Sequence, residues 1–491
     1  MSVVSITALI ILFFLFLFIG VKFSKVSKPK EFLLMGRNIG FWLFFGAYTG
    51  AAIGGASTAG FVGYGYNDGY SSMWLIAVSG LTLPIFAFAF AKKLNVFGRI
   101  NEAYTLPDFL ATRYGEKIRI LSSFISYLRP VFIAGLQFVA LGIVFKVAFG
   151  LNMKYGIIIS AVLILVYTVT GGQYSAITAQ WIQSILQGAG LLIFFGATIF
   201  YNGGISASFS NLHKFLSPEK LNAYNTDFSI FTVWIITMGL FYLVDPWLYQ
   251  WAYMAKSAQT SFDAMVAVSL SSPWGAISFI GGMLIESAAK ANIISLPASI
   301  QGDQIYLYFI TKVIHPAIGL FLLVSFLMTV LSCASSFLLN GATLMYNDFL
   351  KKTKITQKYD HIKISRIAVI VTTLFGIATA LWVPFLIPLW IIGQGLAVSG
   401  LLVPVFAAWF WKRGTSRGAY YSLISGLISS FVFSLFAWYR KGSPNAIVGG
   451  FHFVHIGLFV SLIFMVFISY IDQQEPDEIV NKTLWKEIPW V

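Results

Sequence analysis

Asp245 and Pro246 interrupt an otherwise apolar stretch, TMGLFYLVDPWLYQWAYMAK. A carboxylate inside a membrane helix is costly enough to mark function, or else it caps a half-helix set free by a break. Pro246 removes a backbone donor and crowds the preceding turn, so a kink is expected between Tyr242 and Asp245. A second stretch, GAYTGAAIGGASTAGFVGYGY, crowds Gly50, Gly54, Gly55 and Gly60 around Ala51, Ala52, Ser57 and Thr58. Small residues there serve close helix packing, or an unwound hinge whose freed carbonyls hold a cation and whose half-helix N-terminus faces a solute. A third stretch concentrates polar atoms in Thr329, Ser332, Cys333, Ser335, Ser336, Asn340 and Thr343. Thr329, Ser332 and Ser336 follow i, i+3, i+7 spacing and share one face. Such hydroxyls either bond back to their own helix or supply the oxygen ligands that small hard cations prefer. Glu286 and Lys290, at i and i+4, read as an intramembrane ion pair; proton coupling through Glu286 or Asp245 is the alternative. His315, His361, His452 and His455 fall in loops or near helix ends and form no metal or catalytic cluster.

The elements that position these residues must be membrane helices. The chain has 491 residues, of which 58% are hydrophobic and 10% charged, against about 25% charged in soluble domains. Apolar runs long enough to cross about 30 Å of hydrocarbon fall at 3–22, 40–66, 70–91, 118–149, 155–170, 177–202, 227–251, 273–297, 314–347, 366–385, 387–411, 417–439 and 453–471. The expectation is an all-α polytopic protein of about 13 transmembrane helices. The first run has no basic start and no small-residue cleavage site, so it reads as a retained helix. Alternate loops carry about 23 Lys and Arg on one side and about six on the other, which sets the N-terminus outside and the C-terminus in the cytoplasm. The formal charge of +14 follows from that asymmetry and does not require nucleic acid. No arginine is expected at mid-membrane to demand an anion. The single cysteine excludes an internal disulfide, and no loop is long enough to house an enzymatic domain.

The two interrupted helices lie second and seventh in this order. Breaks at matching places in two five-helix halves point to an inverted-repeat transporter with its site at the midplane. The expected division is an extra helix and basic loop over 1–39, repeats over 40–203 and 204–416, and two further helices with a polar tail over 417–491.

Six stretches in order resemble the sodium:solute symporter family: LLMGRNIGFWLFFGAYTGAAIGG, YTLPDFLATRYG, TGGQYSAITAQWIQ, DPWLYQWAYMAKS, VLSCASSFLLNGATLMYNDF and FWKRGTSRGA. The resemblance implies a LeuT-like fold with 5+5 inverted repeats, alternating access, and coupling to Na⁺ with no organic cofactor. It puts the cation on the carbonyls of Gly50 and Ile53, with Thr329, Ser332 and Cys333 opposite. Cys333 stands where many members have a hydroxyl, and a neutral thiol is a poorer ligand for hard Na⁺. Ala179-Gln180 stand where two-sodium members have Thr-Asp, which removes the carboxylate of an auxiliary site whose other partners are Ser335 and Ser336. One coupling ion per cycle is therefore expected.

The solute cavity implied by the resemblance is lined by Ala52, Gly54, Gly55, Ser57, Thr58, Gln137, Asp245, Trp247, Gln250 and Gln394. Sugar carriers typically have Asn and proline carriers Asp where this chain has Ala52, so neither substrate is indicated. Trp247, Trp390 and Phe241 are candidates to gate the cavity. The expected function is secondary active symport of a small polar organic solute with Na⁺ across the cell membrane, by a monomer or weak homo-oligomer. The alternative is an H⁺-coupled symporter or uniporter of the same fold using Asp245 or Glu286.

Overall fold

The computed structural model describes residues 29–272, 274–351, 353 and 360–472; the expected first helix at 3–22 and the polar tail lie outside them. Among the described residues the structure is helical, with two isolated bridges, Ile39 to Ala255 and Val448 to Phe451. Lipid cannot satisfy a backbone N–H or C=O, so chains this apolar pair those groups within helices. Among the described residues, ten helical stretches are long and apolar enough to cross a membrane.

Six helices build the site: α1 (Phe41–Ala52), α2 (Phe61–Asp68), α3 (Glu116–Phe149), α4 (Met153–Tyr201), α5 (Pro246–Met254) and α6 (Pro316–Leu344). α4 has 49 residues, about 74 Å at 1.5 Å per residue, more than twice the hydrocarbon thickness. It is divided at Gly172, whose φ of +58° lies in the left-handed region and whose missing Cβ leaves room for Phe32, 2.5 Å from where it would sit. The expected runs 155–170 and 177–202 are its two legs. α6 packs on α3 and α4, and α1 packs on α4.

Two expected boundaries shift. The run placed at 273–297 is formed by Ala258–Ser271 and Trp274–Lys290. Ser257 caps the start, its Oγ accepting from the Thr260 N–H at 3.1 Å, and the polar first turn conceals that start from a hydropathy reading. Past Lys290 the chain turns at Asn292, with φ +58°. The run at 70–91 continues through Lys92–Ile100, so Lys92, Lys93 and Arg99 are helical residues. Arg99 donates to the carbonyls of Ala255 at 3.0 Å and Lys256 at 2.6 Å.

Candidate functional site

The small-residue stretch does break. α1 ends at Ala52, Ile53 is extended (φ −85°, ψ 121°), and helix resumes beyond Gly54 with a π turn over Ala56–Gly60. Side chains take up the freed backbone groups. Gly54 N–H donates to Ser57 Oγ at 2.8 Å and Gly55 N–H to Gln137 Oε1 at 2.9 Å. The Gly54 carbonyl accepts from Thr58, through its N–H at 3.1 Å and its Oγ1 at 3.0 Å. A Cβ at position 54 would sit 2.7 Å from Gln137 Nε2 and 2.8 Å from Cys333 Sγ, so glycine there lets both side chains close on the break.

Of the expected cation ligands, Gly50 and Ser332 meet directly, the Ser332 hydroxyl donating to the Gly50 carbonyl in a short hydrogen bond. The Ile53 carbonyl accepts from Gln187 Nε2 at 3.1 Å, a partner on α4 that the sequence reading did not single out. Thr329 Oγ1 bonds back to the Ser325 carbonyl at 2.9 Å. Cys333 Sγ accepts from Gln137 Nε2 at 3.2 Å. Gln180 donates from Nε2 to the Ser332 carbonyl at 3.0 Å and to Ser335 Oγ at 3.4 Å. Ser336 instead accepts from the Trp247 indole at 3.0 Å.

The second interruption is longer. A π turn over Ile235–Gly239 and a 3-10 turn over Leu240–Val244 lead to Asp245, and α5 begins with Pro246 in its first position, where a missing N–H costs nothing. Asp245 caps α5, its Oδ1 accepting from the Trp247 N–H at 2.9 Å. Its Oδ2 forms an ion pair with Arg129 Nη2 at 2.9 Å, both side chains buried. Arg129 lies midway along α3, contrary to the expectation that no arginine occupies mid-membrane. Phe241, Tyr242 and Phe337 place their rings 4.8, 5.7 and 5.2 Å from the guanidinium carbon. The signal was a lone charge in the apolar run FISYLRPVFIAG, and the structure supplies the buried partner that makes it tolerable.

Both breaks border one cavity. Ala52, Gly54, Ser57, Gln137 and Trp247 line it, together with Ile53, Cys333, Arg129 and the aromatic residues Tyr48 and Trp390. Gly55, Thr58, Asp245, Gln250 and Gln394 are not among its walls. Gln250 is bonded elsewhere, to the Leu33 carbonyl at 3.1 Å, Thr343 Oγ1 at 2.9 Å and Asn340 Nδ2 at 2.6 Å. Gln394 is buried with no hydrogen-bond partner for its amide among the described residues. Phe241 is buried against Arg129. Glu286 and Lys290 pair at 2.9 Å, and Lys220 joins Glu286 at 2.7 Å. Among the described residues no three His, Cys, Asp or Glu side chains gather to hold a metal ion.

Residues 32–426 match the sequence model of the Sodium:solute symporter family, and the chain belongs to that family. It is 26% identical over 468 residues to a sodium/proline symporter of Staphylococcus aureus (strain bovine RF122 / ET3-1), covering 92% of this chain and 89% of that one. A further S. aureus sodium/proline symporter is 26% identical over 462 residues, covering 91% and 88%. Among solved structures, the substrate-bound outward-open state of a Na⁺-coupled sialic acid symporter superposes with a TM-score of 0.78 at 18% identity, covering 96% of this chain and 98% of that one. A nucleobase-cation-symport-1 family transporter with bromovinylhydantoin bound gives 0.54 at 14% identity, covering 93% and 99%. The fold is the LeuT-like helical fold that the resemblance implied.

Proposed function

We propose that this protein imports a small organic solute together with one Na⁺ by alternating access, working as a monomer or weak homo-oligomer in the cell membrane. The observation that carries this reading is the break at Ile53 and Gly54. It frees the Gly50 carbonyl for Ser332 on α6 and the Ile53 carbonyl for Gln187 on α4, beside a cavity whose wall includes Ile53, Gly54 and Cys333. Cation and solute would thus share one broken segment, so binding of each can shape the site of the other. Gly50, Ile53, Thr329, Ser332 and Cys333 are the proposed cation ligands. Ala52, Gly54, Ser57, Gln137 and Trp247 face the solute, and Trp247 and Trp390 gate it. Gly55, Thr58, Gln250 and Gln394 support that site from outside the cavity wall.

A single ion is favoured by Gln180, whose amide NH₂ already occupies the Ser332 carbonyl and Ser335 hydroxyl that would serve a second cation. Asp245 is committed to capping α5 and to Arg129, and Glu286 to two lysines, which disfavours either as a proton carrier. The proposed repeats span 40–203 and 204–416, with the N-terminus outside and the C-terminus cytoplasmic by loop charge.

The test is thermal stability of the purified protein against a solute panel, in NaCl and in choline chloride, at pH 7.5 and 5.5. Stabilisation by bound ligand follows RT ln(1 + [L]/Kd). Sodium-dependent stabilisation by a solute is expected; an effect indifferent to sodium that grows at pH 5.5 would transfer coupling to a proton.

A further inference from the structure

The guanidinium of Arg129 is buried, with a side-chain exposure of 3%, and only one of its nitrogens is matched by a carboxylate. Nη2 pairs with Asp245, whereas Nε and Nη1 have no hydrogen-bond partner among the described residues. The rings of Phe241, Tyr242 and Phe337 lie close around the group, but a ring face attracts the cation without accepting an in-plane N–H in normal geometry. Buried donors left unmade are expensive and call for a partner. Arg129 also lines the cavity, and among the described residues of that lining it is the one whose side chain is charged at neutral pH.

We propose that the solute is a small monocarboxylate whose carboxylate oxygens accept from the free N–H groups of Arg129, a deepening that rests on the symport reading given above. The rest of the lining narrows the class. Among the described residues no acidic side chain borders the cavity, so an ammonium group would find no counter-charge and a second carboxylate would find no second cation. Tyr48, Phe61, Trp247, Phe337 and Trp390 offer aromatic surface to an apolar body. The charge balance also closes. Arg129 and Asp245 cancel, and the carboxylate then adds one negative charge near carbonyls that would hold Na⁺, so each ion lowers the electrostatic cost of the other. One Na⁺ with one monocarboxylate moves no net charge, and uptake should not respond to membrane potential.

The experiment compares acid and amide pairs, propionate with propionamide and benzoate with benzamide, alongside L-alanine, L-proline and glucose. Thermal stability is read in NaCl, sodium methanesulfonate and choline chloride. At least one acid should stabilise the wild-type protein in both sodium salts while its amide does not. Arg129→Lys should weaken that acid about tenfold, since an ammonium is a point charge without the guanidinium fork. Because Arg129→Gln alone strands Asp245, the decisive variant is Arg129→Gln with Asp245→Asn, which keeps the pair neutral and the cap in place. It should fold, and acid and amide should become indistinguishable. The proposal is overturned if that double variant still prefers the acid, if only sugars, amides or amino acids stabilise, if nothing in the panel stabilises, or if chloride alone produces the shift. Sodium-dependent stabilisation by a solute lacking a carboxylate would sink the carboxylate but leave symport standing. Acid-specific stabilisation that persists in choline would do the reverse.

Discussion

Ser332 on α6 donates its hydroxyl proton to the carbonyl of Gly50 on α1, across 282 residues of sequence. The contact exists because helix stops at Ala52, freeing the Gly50 carbonyl from the next turn for a neighbour. Removing the hydroxyl with Ser332→Ala should raise the half-saturating sodium concentration about tenfold, equivalent to about 1.4 kcal/mol. Thr329→Ala should change it less than about threefold, because Thr329 Oγ1 already satisfies its own helix. Sodium titrations of thermal stability or of uptake distinguish the two, and equal effects would argue against Ser332 as the principal side-chain ligand.

Cys333 lies beside Gly54 and accepts from Gln137. Cys333→Ser keeps the shape and an acceptor for Gln137 in a slightly smaller side chain but presents a harder oxygen. Sodium affinity is expected to rise several-fold with little change in Tm. An unchanged sodium titration would remove Cys333 from the ligand set.

Gln180 holds the Ser332 carbonyl and Ser335 hydroxyl with its amide. Gln180→Asp replaces the donor with a carboxylate one methylene shorter, leaving room beside the Ser332 carbonyl and Ser335 hydroxyl, which should admit a second cation once sodium is present. The Hill coefficient for sodium should move from about 1 in the wild-type protein toward 2. A wild-type coefficient already near 2 would contradict the single-ion reading.

Glu286 joins Lys290 from its own helix and Lys220 from the short helix Pro218–Leu221. Glu286→Gln should lower stability by about 1 kcal/mol, the exposure of the lysines keeping the figure small, without altering the sodium dependence of transport. Lys220→Ala should cost more than Lys290→Ala, since Lys220 also donates to the Tyr66 carbonyl at 2.7 Å. Loss of coupling with intact folding in Glu286→Gln would reopen the proton alternative.

His452 precedes the last described helix and caps it, accepting from the Val454 N–H at 3.4 Å. Burial, reinforced by His455, pushes its pKa from 6.5 down to about 3. The unfolded chain therefore binds more protons between those values, so stability falls as pH drops from about 6.5 toward 3, approaching about 1.4 kcal/mol per pH unit. His452→Asn, which can still cap, should flatten that slope in a Tm against pH series. A slope identical to wild type would show that other groups set it.

The sequence by itself determined the membrane class, the two interrupted helices and the residues of the first break. Lipid leaves an apolar chain little choice but helix, and glycine or proline at mid-span is visible in one dimension. Boundaries slipped where polar first turns hide a start, as at Ser257, or where charged residues continue a helix, as at Lys92 and Arg99. Only the tertiary structure decided which polar groups meet. It took Gln250 to Thr343 and Asn340 and away from the cavity, brought Gln187 to the Ile53 carbonyl, and joined Arg129 to Asp245 from helices 116 residues apart in sequence. Periodicity records which face of a helix is polar, but the energy of a buried charge or carbonyl is set by the partner facing it, and that partner is chosen by packing.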